Sequence, residues 1–158
     1  SFSSAFYMHG RLDQVVDSLI VVTSRARRRA EFMGSHIDFV RLPPERVFGY
    51  RKVRKGDSEV FLADLEKAVV DALYLPRRCP VSQAYDSLKD GFDQHLLEEY
   101  AVKMKSEAVI RRVGYVLEAL GKTTGLRPRT RTAYKLNPGM PKGEFNALWR
   151  LQVNEVLE

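Results

Sequence analysis

One short segment of the chain brings together residue types that could catalyse a reaction. Asp64, Glu66, Lys67 and Asp71 lie close together, and metal-dependent nucleases use two carboxylates and a lysine. That chemistry needs the second carboxylate and the lysine one residue apart on a strand, so that both point at one metal ion. Glu66 and Lys67 are instead adjacent in a predicted helix, where their side chains diverge by about 100°. We therefore favour structural roles: Asp64 as helix N-cap, Glu66 in the first turn and Asp71 in a surface ion pair.

The histidines and the single cysteine do not suggest a metal site or a nucleophile. His9, His36 and His95 lie in three separate predicted elements without metal-ligand spacing. Cys79 follows two arginines, which would lower its pKa, but no nearby base completes a nucleophile system. Glycine motifs that bind phosphate are also missing from the sequence. We predict no catalytic residue, no metal and no cofactor.

Basic clusters are the clearest functional signal. Residues 21–56 carry 10 Lys/Arg against 3 Asp/Glu, and residues 121–143 carry 6 against none, whereas residues 57–120 carry 8 against 12. Because charge arranged in blocks can present one face to a polyanion, we predict a surface that contacts nucleic acid. Its candidate residues are Arg25, Arg27, Arg28 and Arg29 after a strand, Arg51, Lys52, Arg54 and Lys55 on a hairpin tip, and Arg127, Arg129 and Arg131 in a flexible segment.

Three alternatives to a nucleic-acid surface stay open. The arginines could bind an acidic protein partner, or they could form a solvated face that only aids solubility. A metal-dependent nuclease using Asp64, Glu66 and Lys67 is the enzymatic rival. Arg111 and Arg112 are weaker candidates, because charged positions on an amphipathic helix are common. The net charge of +6 favours an anionic partner of some kind.

Length and composition are those of an ordinary globular chain. With 158 residues, of which 44% are hydrophobic, it can bury roughly two-thirds of its unfolded surface without a disulfide or metal. We expect one domain over residues 1–158, with 121–131 as a basic loop or linker. A single cysteine excludes an internal disulfide and favours the cytoplasm. No apolar run reaches the ~18–20 residues of a membrane span, so no membrane partner is expected.

The first half of the chain is predicted to position the basic clusters. Apolar spacing indicates a helix over residues 2–9, a buried strand over 18–24 and a second strand over 36–42 that ends at two prolines. Residues 47–54 and 58–62 are typical of a hairpin, with Gly56 in its turn. The next helix begins at Asp64, and we expect its stripe of Leu65, Val69 and Leu73 to pack on a sheet.

The second half is predicted to be mainly helical. Ser82 is expected to cap one helix, and residues 92–120 to form two more with a break near Ser106. Phe92, Leu96, Tyr100 and Met104 are expected to line the first of these two. Strands are expected over 132–136 and 147–153. The predicted fold class is α+β, with a mixed, mainly antiparallel sheet of about six strands and four or five packed helices.

Five segments of the sequence carry a family resemblance: SSAFYMHGRLDQ, FVRLPPERVFGY, ADLEKAVVDALYLP, AVIRRVGYVLEAL and WRLQVN. Together they resemble the C-terminal domain of the AbiEi family, antitoxins and transcriptional regulators of type IV toxin–antitoxin and phage-defence systems. The resemblance implies neutralisation of a partner nucleotidyltransferase toxin that does not need a stable complex, and support for operon repression. Family members usually begin with a winged helix-turn-helix that binds operator DNA. None precedes Ser1, so the resemblance implies the second half of a longer protein.

Overall fold

A computed structural model describes residues 1–13, 18–32 and 34–158, without the side chains of Phe32 and Lys55. In this part of the chain the fold is α+β, as predicted, with five helices and eight short strands. The helices are α1 (Phe2–Met8), α2 (Leu65–Tyr74), α3 (Val81–Leu88), α4 (Gln94–Lys103) and α5 (Glu107–Ala119). The strands are β1 (Ser18–Thr23), β2 (Ala30–Phe32), β3 (Ser35–Arg41), β4 (Tyr50–Lys55), β5 (Ser58–Ala63), β6 (Tyr134–Lys135), β7 (Glu144–Asn146) and β8 (Leu151–Val153).

The strands form three small sheets, so the prediction of one sheet of about six strands is wrong. The first has the order β1-β3-β2, with β1 and β3 parallel; the second is the β4–β5 hairpin; the third has the order β6-β8-β7. Pro43 and Pro44 end β3, and a short 3-10 helix over Pro44–Arg46 redirects the chain before β4. Helices α2 to α5 then separate the hairpin from the third sheet. The sheets therefore stay apart because prolines and helices interrupt the strands along the chain.

Helix α2 forms the centre of the core. It packs against α1, α3, α4 and α5, and every residue from Leu65 to Leu73 is buried. The predicted stripe of Leu65, Val69 and Leu73 is buried as expected, but mainly helices cover it instead of a sheet. Because helices surround α2, its charged face is buried as well. The surface ion pair predicted for Asp71 is consequently wrong, since Asp71 is fully buried.

The remaining helices follow the predicted order with shifts at their ends. Helix α3 begins after Pro80 instead of Ser82. The break near Ser106 is confirmed. Of the four residues predicted to line the first of the two helices, Met104 is fully buried, Phe92 and Tyr100 pack against the core, and Leu96 is half-buried. Phe92 precedes α4, and the buried residues within the helix, Leu97 and Ala101, were not predicted.

The last predicted strand is shorter than expected. Residues 147–150 form a turn, and only Leu151–Val153 remain extended. Arg150 has a φ of +51°, a left-handed conformation that interrupts the strand. In this turn Trp149 packs on Gly114 of α5, where an added Cβ would lie 2.1 Å from the indole ring. Only glycine at that position allows α5 and the C-terminal sheet to approach so closely.

The first sheet is joined to the core by helix α1. The predicted helix at the start of the chain is confirmed, and the Ser4 hydroxyl accepts a hydrogen bond from Ile20 N at 3.0 Å on the open edge of β1. Strand β1 itself is half-buried, so the prediction of a buried strand is wrong. Among the described residues, no helix combines the length and apolar character that crossing a membrane requires.

Candidate nucleic-acid interface

The β4–β5 hairpin has the predicted pairing and turn. Its strands are antiparallel, with Lys52 opposite Phe61 and Arg54 opposite Glu59. Gly56 adopts a φ of +59° in the turn, which is exposed as predicted. Strand β4 begins at Tyr50, three residues after the predicted start. The hairpin therefore extends from the body of the protein with its turn in solvent.

The two faces of the hairpin differ sharply in burial. On one face, Leu62 is buried and Val53 packs against the core. On the opposite face lie Lys52, Arg54, Glu59 and Phe61, all exposed, and Phe61 is 72% exposed. Phe61 was not among the predicted site residues. The sequence contained its signal, because Val60, Phe61 and Leu62 are consecutive in a strand, where one side chain must point away from its neighbours.

Two of the predicted basic residues on the hairpin already have acidic partners. Lys52 Nζ lies 2.5 Å from Glu59 Oε2, and Arg51 Nε lies 3.7 Å from Asp64 Oδ1. Arg51 is near the base of the hairpin, so its predicted location on the tip is wrong. Arg54 lies beside the turn and is exposed, and the side chain of Lys55 lies outside the described part of the structure. Exposed pairs of this kind stabilise little and exchange readily with another anion.

The Arg25–Arg29 cluster lies in the connection from β1 to β2. All four arginines are exposed. The hydroxyl of Thr23 accepts a hydrogen bond from Arg25 N at 3.1 Å, which shapes the start of this connection. Arg29 Nε lies 3.4 Å from Asp38 Oδ1, with its own side chain 91% exposed. Within this cluster, no ion-pair partner for Arg25, Arg27 or Arg28 occurs in the described ranges, so these three arginines are available for an external anion.

The third predicted group lies between α5 and β6. Residues 122–129 have no helix or strand, as predicted, but the segment is attached to α5. Glu107 Oε1 accepts the backbone N–H of Arg129 at 2.7 Å and of Thr130 at 3.2 Å. Arg127 donates to the carbonyl of Thr124 at 2.8 Å, and the carbonyl of Arg131 accepts from Arg150 Nε at 2.9 Å. These hydrogen bonds attach the segment to the body of the protein, while Arg127, Arg129 and Arg131 remain exposed.

Arg111 and Arg112 are interior residues. Arg111 is fully buried, where it donates to carbonyls of Thr130 and Thr132 and to Glu107. Arg112 is 4% exposed and donates to Leu73 O at 2.8 Å and Lys135 O at 2.9 Å. Burial lowers the pKa of Arg112 to about 10, which leaves it charged at neutral pH. Their burial removes both from the nucleic-acid surface.

The catalytic lysine considered above is part of a closed internal network. Lys67 Nζ donates to Asp71 Oδ1, and both side chains are fully buried. Asp71 Oδ2 accepts from the hydroxyl of Tyr50 at 3.1 Å and from that of Ser1 at 2.7 Å. Lys67 also lies 4.5 Å from the centre of the Phe48 ring. Burial lowers the pKa of Lys67, and burial together with the Asp71 carboxylate raises the pKa of Tyr50.

The carboxylates of Asp64 and Glu66, near Lys67 in the sequence, accept hydrogen bonds from different partners. Asp64 occupies the N-cap position of α2, but its side chain makes no capping bond and accepts instead from the hydroxyl of Tyr100 at 3.0 Å. Glu66 Oε1 accepts the N–H of Asp93 at 2.8 Å. In the ranges that the structure describes, no three His, Cys, Asp or Glu residues are grouped to hold a metal ion. The geometry therefore does not unite the residues of the nuclease hypothesis.

The surroundings of Cys79 affect its thiol pKa in the opposite direction to the one predicted from its arginine neighbours. It is buried and hydrogen-bonded to Ser3 Oγ at 3.3 Å and Gln83 Oε1 at 3.4 Å. Burial raises the pKa of Cys79 to about 11, so the expected lowering is wrong. Among the histidines, His9 bonds the carbonyl of Ala63 at 2.8 Å, and His36 lies 3.2 Å from Glu31 in an exposed pair.

No protein-family model and no curated protein matches this sequence. Two surface regions are candidates for contact with nucleic acid. They are the exposed arginines of the β1–β2 connection and the outer face of the hairpin.

Proposed function

We propose that this chain is a non-enzymatic antitoxin and transcriptional-regulator domain that counteracts a nucleotidyltransferase toxin in the cytoplasm. In this proposal it assists operon repression through a basic surface that contacts nucleic acid. The observation that carries the nucleic-acid role is the exposure of Arg27 and Arg28 without an ion-pair partner in the described residues. Arginines of this kind bind phosphate oxygens through charge-assisted hydrogen bonds.

The antitoxin role is supported by the resemblance to AbiEi proteins. It is compatible with the internal network, because Lys67 and Asp71 are inaccessible to a substrate and already satisfy each other. A nuclease would need this pair to open and recruit Asp64 or Glu66, which are held by Tyr100 and Asp93. The nuclease alternative consequently requires a rearrangement of the core that the antitoxin proposal does not.

The first test measures duplex DNA binding as a function of salt. Each neutralised phosphate contributes about −0.9 to the slope of log K against log salt, so three to five contacts imply a loss of roughly two log units between about 50 and about 200 mM salt. Replacing Arg27 and Arg28 with Ala should flatten the slope by about 1.8 if each contacts one phosphate. Fluorescence anisotropy with a labelled duplex measures this change.

A matched variant controls for net charge. Arg78 and Lys105 are exposed basic residues outside the predicted clusters, so the Arg78→Ala/Lys105→Ala double removes the same charge. It should retain most of the wild-type slope. An equal slope for the Arg27→Ala/Arg28→Ala protein and the wild type, or no binding at about 50 mM salt, would refute the nucleic-acid role.

The second test addresses the antitoxin role in cells. The chain is co-expressed with the nucleotidyltransferase encoded beside its gene, and growth is measured with and without toxin induction. Restored growth supports the proposal, and continued arrest at normal antitoxin levels contradicts it. Co-purification of a stable protein complex that dissociates on mutation of Arg27 and Arg28 would instead favour a domain that binds an acidic protein partner. Metal-dependent cleavage of DNA or RNA that Asp64→Ala or Glu66→Ala abolishes would favour the nuclease.

A further inference from the structure

We infer that the outer face of the β4–β5 hairpin is a binding site for single-stranded nucleic acid, in which Phe61 stacks on an unpaired base. The inference rests on the proposed function and assigns a strand preference to its basic surface. Lys52 and Arg54 would contact the phosphates that flank the stacked base. This is the outer face already described, comprising Lys52, Arg54, Glu59 and Phe61.

The exposure of Phe61 is the first observation. Its side chain is 72% exposed, while its neighbours Val60 and Leu62 are half-buried and buried. A single exposed apolar residue is common on protein surfaces. Phe61 differs because the pairing register fixes it on the solvent face of a two-stranded sheet, directly opposite Lys52. Its ring therefore stands beside a cation on a narrow ribbon that a flexible strand can approach.

The second observation is that the ring of Phe61 is left uncovered. Cations lie over other aromatic rings in this protein: Lys67 and Lys103 each lie 4.5 Å from the centre of Phe48, and Arg150 lies 6.0 Å from the centre of Phe145. No cation within the described ranges covers Phe61, because Lys52 reaches diagonally to Glu59. The exposed part of the ring is therefore free to contact another planar group.

The third observation concerns the charges on this face. Lys52 and Arg54 exceed Glu59 by one positive charge, and Arg54 has no acidic partner among the described residues. An apolar or acidic peptide would match only part of this surface, whereas a nucleotide supplies both a planar base and an anionic phosphate. Base stacking on an aromatic side chain, flanked by cations, is the common mode of binding to single strands. In a duplex the bases are stacked on one another and cannot meet Phe61.

The test compares one labelled oligonucleotide of about 12 nucleotides, of mixed sequence, with the same oligonucleotide annealed to its complement. Phe61→Ala should weaken binding to the single strand about tenfold and leave binding to the duplex nearly unchanged, since stacking is available only to the single strand. Phe61→Leu should lose almost as much, because it keeps apolar area without a π-face. Phe61→Trp should restore affinity, and binding should change the fluorescence of the exposed indole.

Phe145 provides the matched control. It is also an exposed phenylalanine on a strand, 50% accessible and beside a cation, but it lies in the third sheet. Phe145→Ala should bind both oligonucleotides like the wild type. Equal losses for Phe145→Ala and Phe61→Ala, wild-type affinity in Phe61→Ala, or full affinity in Phe61→Leu would each overturn the inference.

The outcomes separate the inference from the proposed function. If the salt slope depends on Arg27 and Arg28 but Phe61→Ala has no effect, only the stacking site fails. If neither oligonucleotide binds at about 50 mM salt, the nucleic-acid role fails as a whole. A change in oligomeric state on Phe61→Ala, measured by light scattering without a change in oligonucleotide affinity, would assign the face to contact between copies of this chain.

Discussion

The cations of this protein fall into two regions with opposite surroundings. Lys67, Arg111 and Arg112 lie in the core, where carboxylates or backbone carbonyls accept their hydrogen bonds. Arg27 and Arg28 lie in the β1–β2 connection, exposed and without an ion-pair partner in the described ranges. Cationic side chains are therefore paired within the fold in one region and available for an external anion in the other.

The comparison shows why cation number alone does not define a binding surface. A buried cation requires partners because an unpaired charge in a low-dielectric interior costs several kcal/mol. An exposed arginine keeps its hydration and needs no partner, so it can exchange water for a phosphate. The three basic residues of α2 and α5 that are buried must consequently be subtracted from any estimate of the binding face.

The largest expected effect comes from removing the partner of a buried cation. Asp71→Ala leaves Lys67 without its carboxylate and removes an acceptor from Tyr50 and Ser1. We expect a loss of about 3–5 kcal/mol in the free energy of unfolding, because breaking a buried pair leaves an uncompensated charge. Urea denaturation followed by circular dichroism measures the loss.

Two further variants show whether the loss of stability in Asp71→Ala comes from the unpaired charge of Lys67. Asp93→Ala removes an exposed aspartate that caps α4 through Leu96 N, and it should cost only about 1 kcal/mol. The Lys67→Met/Asp71→Leu double replaces both charges with apolar groups and should recover the part of the loss caused by the unpaired charge, while the hydroxyls of Tyr50 and Ser1 still lack their acceptor. If Asp71→Ala were no more harmful than Asp93→Ala, the buried network would not be a stabilising element.

A second, smaller effect is expected at Arg112. Arg112→Ala leaves the carbonyls of Leu73 and Lys135 without their donors, and each orphaned carbonyl costs about 1–3 kcal/mol. We expect a loss of about 3 kcal/mol in the same urea experiment. Arg112→Lys should give an intermediate value, because an ammonium cannot reproduce the two-sided contact of a guanidinium. A wild-type urea midpoint for Arg112→Ala would contradict the structural role.

The order of elements and much of the fold class could be predicted from the sequence. The hairpin was predictable because Gly56 and the alternation around it are local signals, and the break at Ser106 is equally local. The separation into three sheets was not, because strand partners are set by contacts far apart in the chain. The parallel pairing of β1 with β3, and of β6 with β8, leaves no local pattern.

The candidate site was predictable only in part, for a related reason. Charge blocks pointed to Arg25–Arg29 and the hairpin, and these arginines are exposed. Burial of Lys67 and Asp71 was missed because an amphipathic pattern implies one polar face in solvent, whereas α2 is enclosed by four helices. Pairing of Arg51 with Asp64 was also missed, since it joins the base of the hairpin to the start of α2.

The Glu107 carboxylate links the buried Arg111 to the basic 121–131 segment, and its effect on stability should depend on pH. Partial desolvation of Glu107 acts to raise its pKa, but Arg111 and the N–H groups of Arg129 and Thr130 outweigh it, so the pKa is lowered. A lowered carboxyl pKa stabilises the fold above the unfolded value of 4.5, and this contribution disappears as pH falls through the folded value. Glu107→Gln should therefore cost about 1 kcal/mol at neutral pH and show a flatter loss of stability on acidification.

Urea midpoints from neutral pH to about pH 3 measure the Glu107 effect. Glu118→Gln is a useful control, because Glu118 lies on the same helix, is exposed and accepts from Trp149 Nε1 at 2.5 Å. It should retain most of the wild-type dependence on pH. A Glu107→Gln profile parallel to that of the wild type would show that the carboxylate does not couple α5 to the segment.

The smallest expected effect completes the comparison between the two regions. Arg27→Ala/Arg28→Ala should shift the thermal midpoint by less than about 2 °C, because the two exposed side chains have no described ion pair to lose. The same double variant should flatten the salt slope of DNA binding, so stability and binding separate in one protein. Differential scanning calorimetry, run beside the anisotropy titration, checks both. A large drop in midpoint would mean that these arginines act inside the fold like Arg111 and Arg112, and the distinction between structural and available cations would fail.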